Sequence, residues 1–207
     1  MDDCLIMSVV INGSGTLTGV SVGGLPDGIV DTDMLADNAV TAAKSGAGAI
    51  VQVVNASVTT IQTVSISSAW VDTDVTAAIT PSSASNKILV SMHVTGEGNA
   101  DPALFFYRLT RAISGGATTN ITAPTAGSRT SVMGVTGDQS PNATVTMTSH
   151  AIPNYYDAPA TTSAVTYRMQ VFYDGAATWY LNRTVSDTDA AANKRGMSWV
   201  TLMEVAG

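Results

Sequence analysis

Charge, cysteine and long apolar runs are all scarce in this chain. Lys and Arg number 9 and Asp and Glu 16 among 207 residues, so charged groups are only 12% of the total, about half the usual share. The net charge of −7 argues against a nucleic-acid partner, because phosphate binding draws on clustered Lys and Arg. Cys4 is the one cysteine, which excludes an internal disulfide and fits assembly in a reducing compartment. No run of about 18 apolar residues occurs, so membrane insertion is not expected. The opening MDDCLIMSVV is acidic with a short apolar run, unlike a secretory signal.

Hydrophobic residues make up 45%, enough for a packed core, and most polarity comes from Ser, Thr and Asn. Those residues favour strands and turns over helices. Three regions differ in texture. Residues 1–28 are Gly-rich and extended, with Ile11, Leu17, Val20 and Val22 scattered among turn formers. Residues 29–50 start like a helix. Residues 51–207 are a series of short strand-like runs separated by Gly, Pro, Asn and Asp.

Period-2 alternation is clear in the third region. Ile88, Val90, Met92 and Val94 share one face of KILVSMHV. Phe105, Tyr107 and Leu109 oppose Phe106, Arg108 and Thr110, and Val165, Tyr167, Met169, Val171 and Tyr173 alternate with polar neighbours. Val145 and Met147 alternate with threonines, while MSWVTLMEV is apolar on both faces, as a central strand would be. The spacing predicts a mainly β protein: an antiparallel β-sandwich of jelly-roll type with about eight to ten strands and no βαβ rhythm. Residues 113–164 read as the least regular part, with long loops.

In 29–50, Asp31 or Thr32 is placed to cap a helix, Asp33 suits its start, and Lys44 and Gly46 suit its end. A helix of about three turns is marginal alone in water. Its apolar stripe is narrow, with Ile29, Met34, Leu35 and Val40 as contact residues. It therefore needs either copies of itself or the β region behind it.

Sites of chemistry are thin. DTD occurs at Asp31–Asp33, Asp72–Asp74 and Asp187–Asp189, but none continues into a calcium loop; turns and caps are the simpler reading. Glu97, Asp101, Asp138, Asp157, Asp174 and Glu204 stand singly, which gives no paired carboxylates for glycan cleavage. His93 and His150 lack metal-ligand spacing, Cys4 lacks a nucleophile's context, and the Gly-rich turns lack the Lys-Ser/Thr of a phosphate loop. Hence no enzyme activity, metal or cofactor is expected. The best ligand contacts are aromatic: Tyr155 and Tyr156 in PNYYDAP, and Trp179 and Tyr180 after a turn. Core or subunit packing is the plainer reading of the same rings, and of Trp70 and Trp199. Asn55, Asn142 and Asn182 open N-x-S/T triplets, common in so Ser/Thr-rich a chain.

The segment MSVVINGSGTLTGVSVGGLPDGIVDTDMLADNAVTAAK resembles the leader of tailed-bacteriophage fibre and appendage proteins. The likeness continues through Ile79–Val94, Phe105–Arg111, Tyr155–Val171, Tyr180–Arg183 and Trp199–Gly207, so it covers nearly the whole chain. MDDCLI precedes the start usual for that leader. The resemblance implies a virion protein assembled in the host cytoplasm: a homotrimer with a thin N-terminal stalk and a β-rich head. It implies attachment to other virion proteins of tail or capsid through residues 1–28 (Ile11, Leu17, Val20, Val22) and trimerisation through 29–50. The head would contact the host or decorate the capsid. A carbohydrate-binding module that recognises a host glycan is the rival reading. Asp157, in the pattern DxPxTxSxxTY, is implied to be structural.

Overall fold

The computed structural model describes residues 10–11, 17–18, 44, 46–100, 104–135 and 145–207. The chain divides into two units, Met1–Lys44 and Ser45–Gly207. In the first, β1 (Val10–Ile11) and β2 (Leu17–Thr18) pair antiparallel, with Ile11 opposite Leu17. Val20, Val22 and the expected stalk residues Ile29, Met34, Leu35 and Val40 lie outside the described residues.

The second unit runs β3 (Ile50–Val58), β4 (Gln62–Ser67), β5 (Val71–Ile79), β6 (Lys87–Gly98), β7 (Phe106–Ile113), β8 (Thr118–Ile121), β9 (Gly134–Val135), β10 (Thr148–Asp157), β11 (Val165–Phe172), β12 (Ala176–Leu181) and β13 (Ser198–Val205). They form two antiparallel sheets. In one, β3 pairs β13, β13 pairs β6, and β10 pairs β6; β6 also pairs β12, which carries β4. In the other, β5 pairs β11 and β11 pairs β7, while β8 and β9 each pair a part of β7. The pairing is nested: β3 with β13, β5 with β11, β6 with β10, β7 with β8.

One core joins the sheets, and the alternating residues supply it. Ile88, Val90, Met92 and Val94 from β6 meet Leu109 from β7 and Val165, Tyr167, Met169 and Val171 from β11, all buried. Val200 and Leu202 come from β13, which lies between β3 and β6 as its two-faced apolarity predicts. The two sheets make a β-sandwich.

Two expectations need correction, and a third is incomplete. Residues 113–164 hold long connections as expected, 122–133 among them, but they also contain the ten-residue β10. Its Pro153 hid it, because proline cannot donate to a ladder. The strand accommodates it with an irregularity between Ile152 and Tyr155, where Asn154 takes a left-handed conformation at φ 55°. Val145 lies before that strand and is 40% exposed. The middle DTD is no turn: Asp72 and Asp74 point out of β5 while Thr73 is buried and donates to the Met169 carbonyl at 2.8 Å.

Candidate functional site

Three of the carboxylates considered for catalysis serve the fold, while Asp174 is exposed just before β12. Glu97 is fully buried within β6, where its two oxygens accept the backbone N–H groups of Thr146 (2.8 Å) and Val185 (2.7 Å). Glu204 is also buried and accepts from the Ser82 backbone and from Asn86 Nδ2, each at 2.6 Å. Asp157, on β10, accepts Arg111 Nη1 at 2.8 Å and the Tyr167 hydroxyl at 2.7 Å, a contact that ties one sheet to the other. Asp101 and Asp138 lie outside the described residues. Among the described residues no three His, Cys, Asp or Glu side chains converge on a common point.

The four aromatic candidates separate. Trp179 is 1% exposed and belongs to the core, which corrects its reading as a surface contact. Its place is made by glycine: a Cβ on Gly96 would stand 2.3 Å from the indole. Tyr180 lies under the Arg183 guanidinium at 3.9 Å, a cation–π contact that already occupies the ring. Tyr155 and Tyr156 remain, on a strand rather than in a loop. With Tyr107, Met133, Ile152 and Asn154 they line a depression of about 370 Å³ beside the irregular stretch of β10. That volume is in the range of small-ligand sites. Sequence reading missed Tyr107 as its third aromatic wall. Burial raises the pKa of the Tyr107 phenol, and its ring stands 5.5 Å from His150.

Tyr156 also ends a larger feature. The register places Val53 opposite Met203, Met203 opposite Leu89 and Leu89 opposite Tyr156. Side chains one step removed point inward, so this apolar row crosses the outer face of β3, β13, β6 and β10. Val53 is 57% and Tyr156 54% exposed. A second row runs Ser57, Trp199, His93 and Ala151, with His93 stacked on Trp199 at 3.9 Å. Asn55, Thr201 and Ser91 lie between the rows, and Asn55 Nδ2 donates to Thr201 Oγ1 at 2.8 Å. None of these residues is acidic, in a chain of net charge −7. Burial lowers the pKa of His93. Burial, then the neighbouring His93 charge, lowers that of His150.

The row of Val53, Met203, Leu89 and Tyr156 is an apolar stripe on an outer sheet face, the kind of feature that makes a candidate contact surface. No protein-family model and no curated protein matches this chain, so its role is argued from the chemistry of these faces.

Proposed function

We propose that this protein is a structural virion subunit of a tailed bacteriophage, a homotrimeric appendage anchored by its N-terminal segment and carrying a β-sandwich head. The nested strand pairing of the head supports reading its β-sandwich as a jelly roll. The observation that carries the reading is the outer face bearing Val53, Met203, Leu89 and Tyr156. Copies of an acidic chain repel one another, so a self-contact belongs on a face without carboxylates. β3, which carries Val53, is the first strand of the head, six residues after Lys44. Six residues span at most about 20 Å. If leaders join, the β3 ends are therefore held close together. The resemblance of the leader and of the head segments to phage appendage proteins supplies the number three and the virion setting.

The test is the solution mass of the full chain, by light scattering after size exclusion, beside Met203→Asp. A trimer that disperses on placing a carboxylate in the row, with an unchanged circular dichroism spectrum, supports the reading. A monomeric full chain, or a trimer indifferent to the substitution, sinks the assembly face. Immunogold labelling of phage particles carrying the gene tests the virion setting.

A further inference from the structure

The other sheet presents a different surface. On the outer face of β5, β11 and β7, Asp72 is opposite Gln170 and Gln170 opposite Arg108; one row along, Thr76, Arg168 and Thr110 align. Of these, Asp72, Gln170, Arg108, Arg168 and Thr110 border an open groove of about 570 Å³, completed by Ala112, Thr118, Asn120 and Thr166. Its polar side chains hold one another in place. Arg108 Nε donates to Gln170 Oε1 at 2.7 Å, Gln170 Nε2 donates to Asp72 Oδ1 at 2.6 Å, and Arg168 Nη1 donates to the other Asp72 oxygen. Burial would raise the Asp72 pKa, but the hydrogen bonds from Gln170 and Arg168 and the charges of Arg168 and Arg108 outweigh it and hold it below the usual value. At one end the Arg108 guanidinium lies 4.4 Å over Trp70, which packs on Phe172 at 5.2 Å.

The chemistry of the groove is specific. Two arginines against one aspartate leave the lining one positive charge, in a chain of net charge −7. Among the described residues Arg108 donates only through Nε, which leaves its terminal fork for a carboxylate. Amide and hydroxyl groups match sugar hydroxyls, and because they are already tied together their ordering adds little to the cost of binding. From Thr166 to Gln170 the strand covers about 14 Å, longer than one pyranose ring. We propose that this groove binds an acidic oligosaccharide, its carboxylate on Arg108 and its hydroxyls on Gln170, Asn120 and the threonines. A neutral glycan leaves the arginine fork unmatched, and a simple anion uses nothing else in the groove. The site goes beyond the assembly reading and stands whether or not copies associate through the opposite sheet.

The experiment is calorimetric titration of the full chain with oligogalacturonate and with oligosialate. A neutral galacto-oligosaccharide of equal length and sodium acetate are the comparisons. Saturable binding of at least one acidic oligomer is expected, with the neutral one about tenfold weaker, and Arg108→Gln weakening the acidic ligand about tenfold. Ala112→Trp fills the groove without touching its hydrogen-bond network and is expected to abolish binding. It decides the matter if Arg108→Gln proves unstable. The proposal is overturned by no binding of either acidic oligomer, by equal binding of the neutral one, by acetate competing as well as the oligomer, or by binding that survives Ala112→Trp. Light scattering on the same samples reports the assembly separately, so the two ideas fail by different readouts.

Discussion

At the scale of the residue, Asn182 shows how much one polar side chain can organise. It sits where β6 passes from β13 to β12, fully buried, at φ 58°. Its Nδ2 donates to the carbonyls of Val58 (2.7 Å) and Thr60 (2.9 Å), and its Oδ1 accepts the hydroxyls of Ser198 (2.7 Å) and Thr95 (3.0 Å). The N-x-S/T triplet it opens is therefore a core feature. Asn182→Ala leaves four hydrogen-bond partners without their amide, Thr95 and Ser198 among them buried, and replaces a residue tolerated at positive φ by one that is not; a loss of about 3–5 kcal/mol is expected in urea unfolding. Asn182→Gly relieves only the backbone and should recover about 1 kcal/mol of that. Full recovery by glycine would assign the whole effect to φ and remove the hydrogen-bond argument. His150 gives a second residue-scale prediction. Its Nε2 is buried with no hydrogen-bond partner among the described residues, and His93 and Tyr107 stand near it. A lowered folded pKa means the unfolded chain takes up the proton first. Stability is thus complete above the ordinary histidine value of 6.5 and is lost as pH falls from there toward the folded pKa. His150→Phe should shallow that decline in melting temperature, and an unchanged slope would exclude His150 as a source.

At the scale of the element, the two sheets are joined by chemistry as well as by apolar packing. Asp157 on β10 is 6% exposed and receives Arg111 from β7 and Tyr167 from β11. Asp157→Ala leaves the guanidinium without its anion, and a loss of about 3–5 kcal/mol is expected by chemical denaturation. A loss under about 1 kcal/mol would mean that Arg111 finds water instead. Gly96→Ala should destabilise by about 1–3 kcal/mol, because the new Cβ meets Trp179 and the Tyr180 carbonyl, at 2.3 and 2.6 Å; a fully folded, equally stable variant would show that the indole shifts freely. These elements also show what a sequence discloses. The alternation in β6, β7 and β11 was legible because each has one buried face, and that is a local pattern. Trp179 was not, because its burial depends on Gly96, a partner brought in by pairing across 83 positions, as the Thr95 bond to Asn182 beside it spans 87. β10 was hidden by Pro153, and Glu97 stood singly in the sequence because its partners, the Thr146 and Val185 backbones, come from distant segments. The Tyr155–Tyr156 pair was legible as a candidate; its third wall, Tyr107, comes from the other sheet.

At the scale of the whole molecule, the proposed assembly turns on which unit would hold copies together. The second unit, Ser45–Gly207, has its own core drawn from both sheets, so a chain beginning at Ser45 is expected to fold. If the outer face of β3, β13, β6 and β10 is the main contact, that shortened chain keeps the mass of an oligomer. Its association then strengthens with salt as the repulsion of acidic copies is screened. If the leader is the main contact, the shortened chain is a monomer while the full chain is a trimer. Leader and face acting together give an intermediate result. The shortened chain then associates weakly, and the full chain gains from linkage, because a leader that joins three copies raises the local concentration of the heads to about the millimolar range. Light scattering of both lengths over a concentration series separates these cases. A full chain that stays monomeric at the highest concentration would leave the apolar row without its own copy as occupant, and a different virion protein would then be the surface to seek.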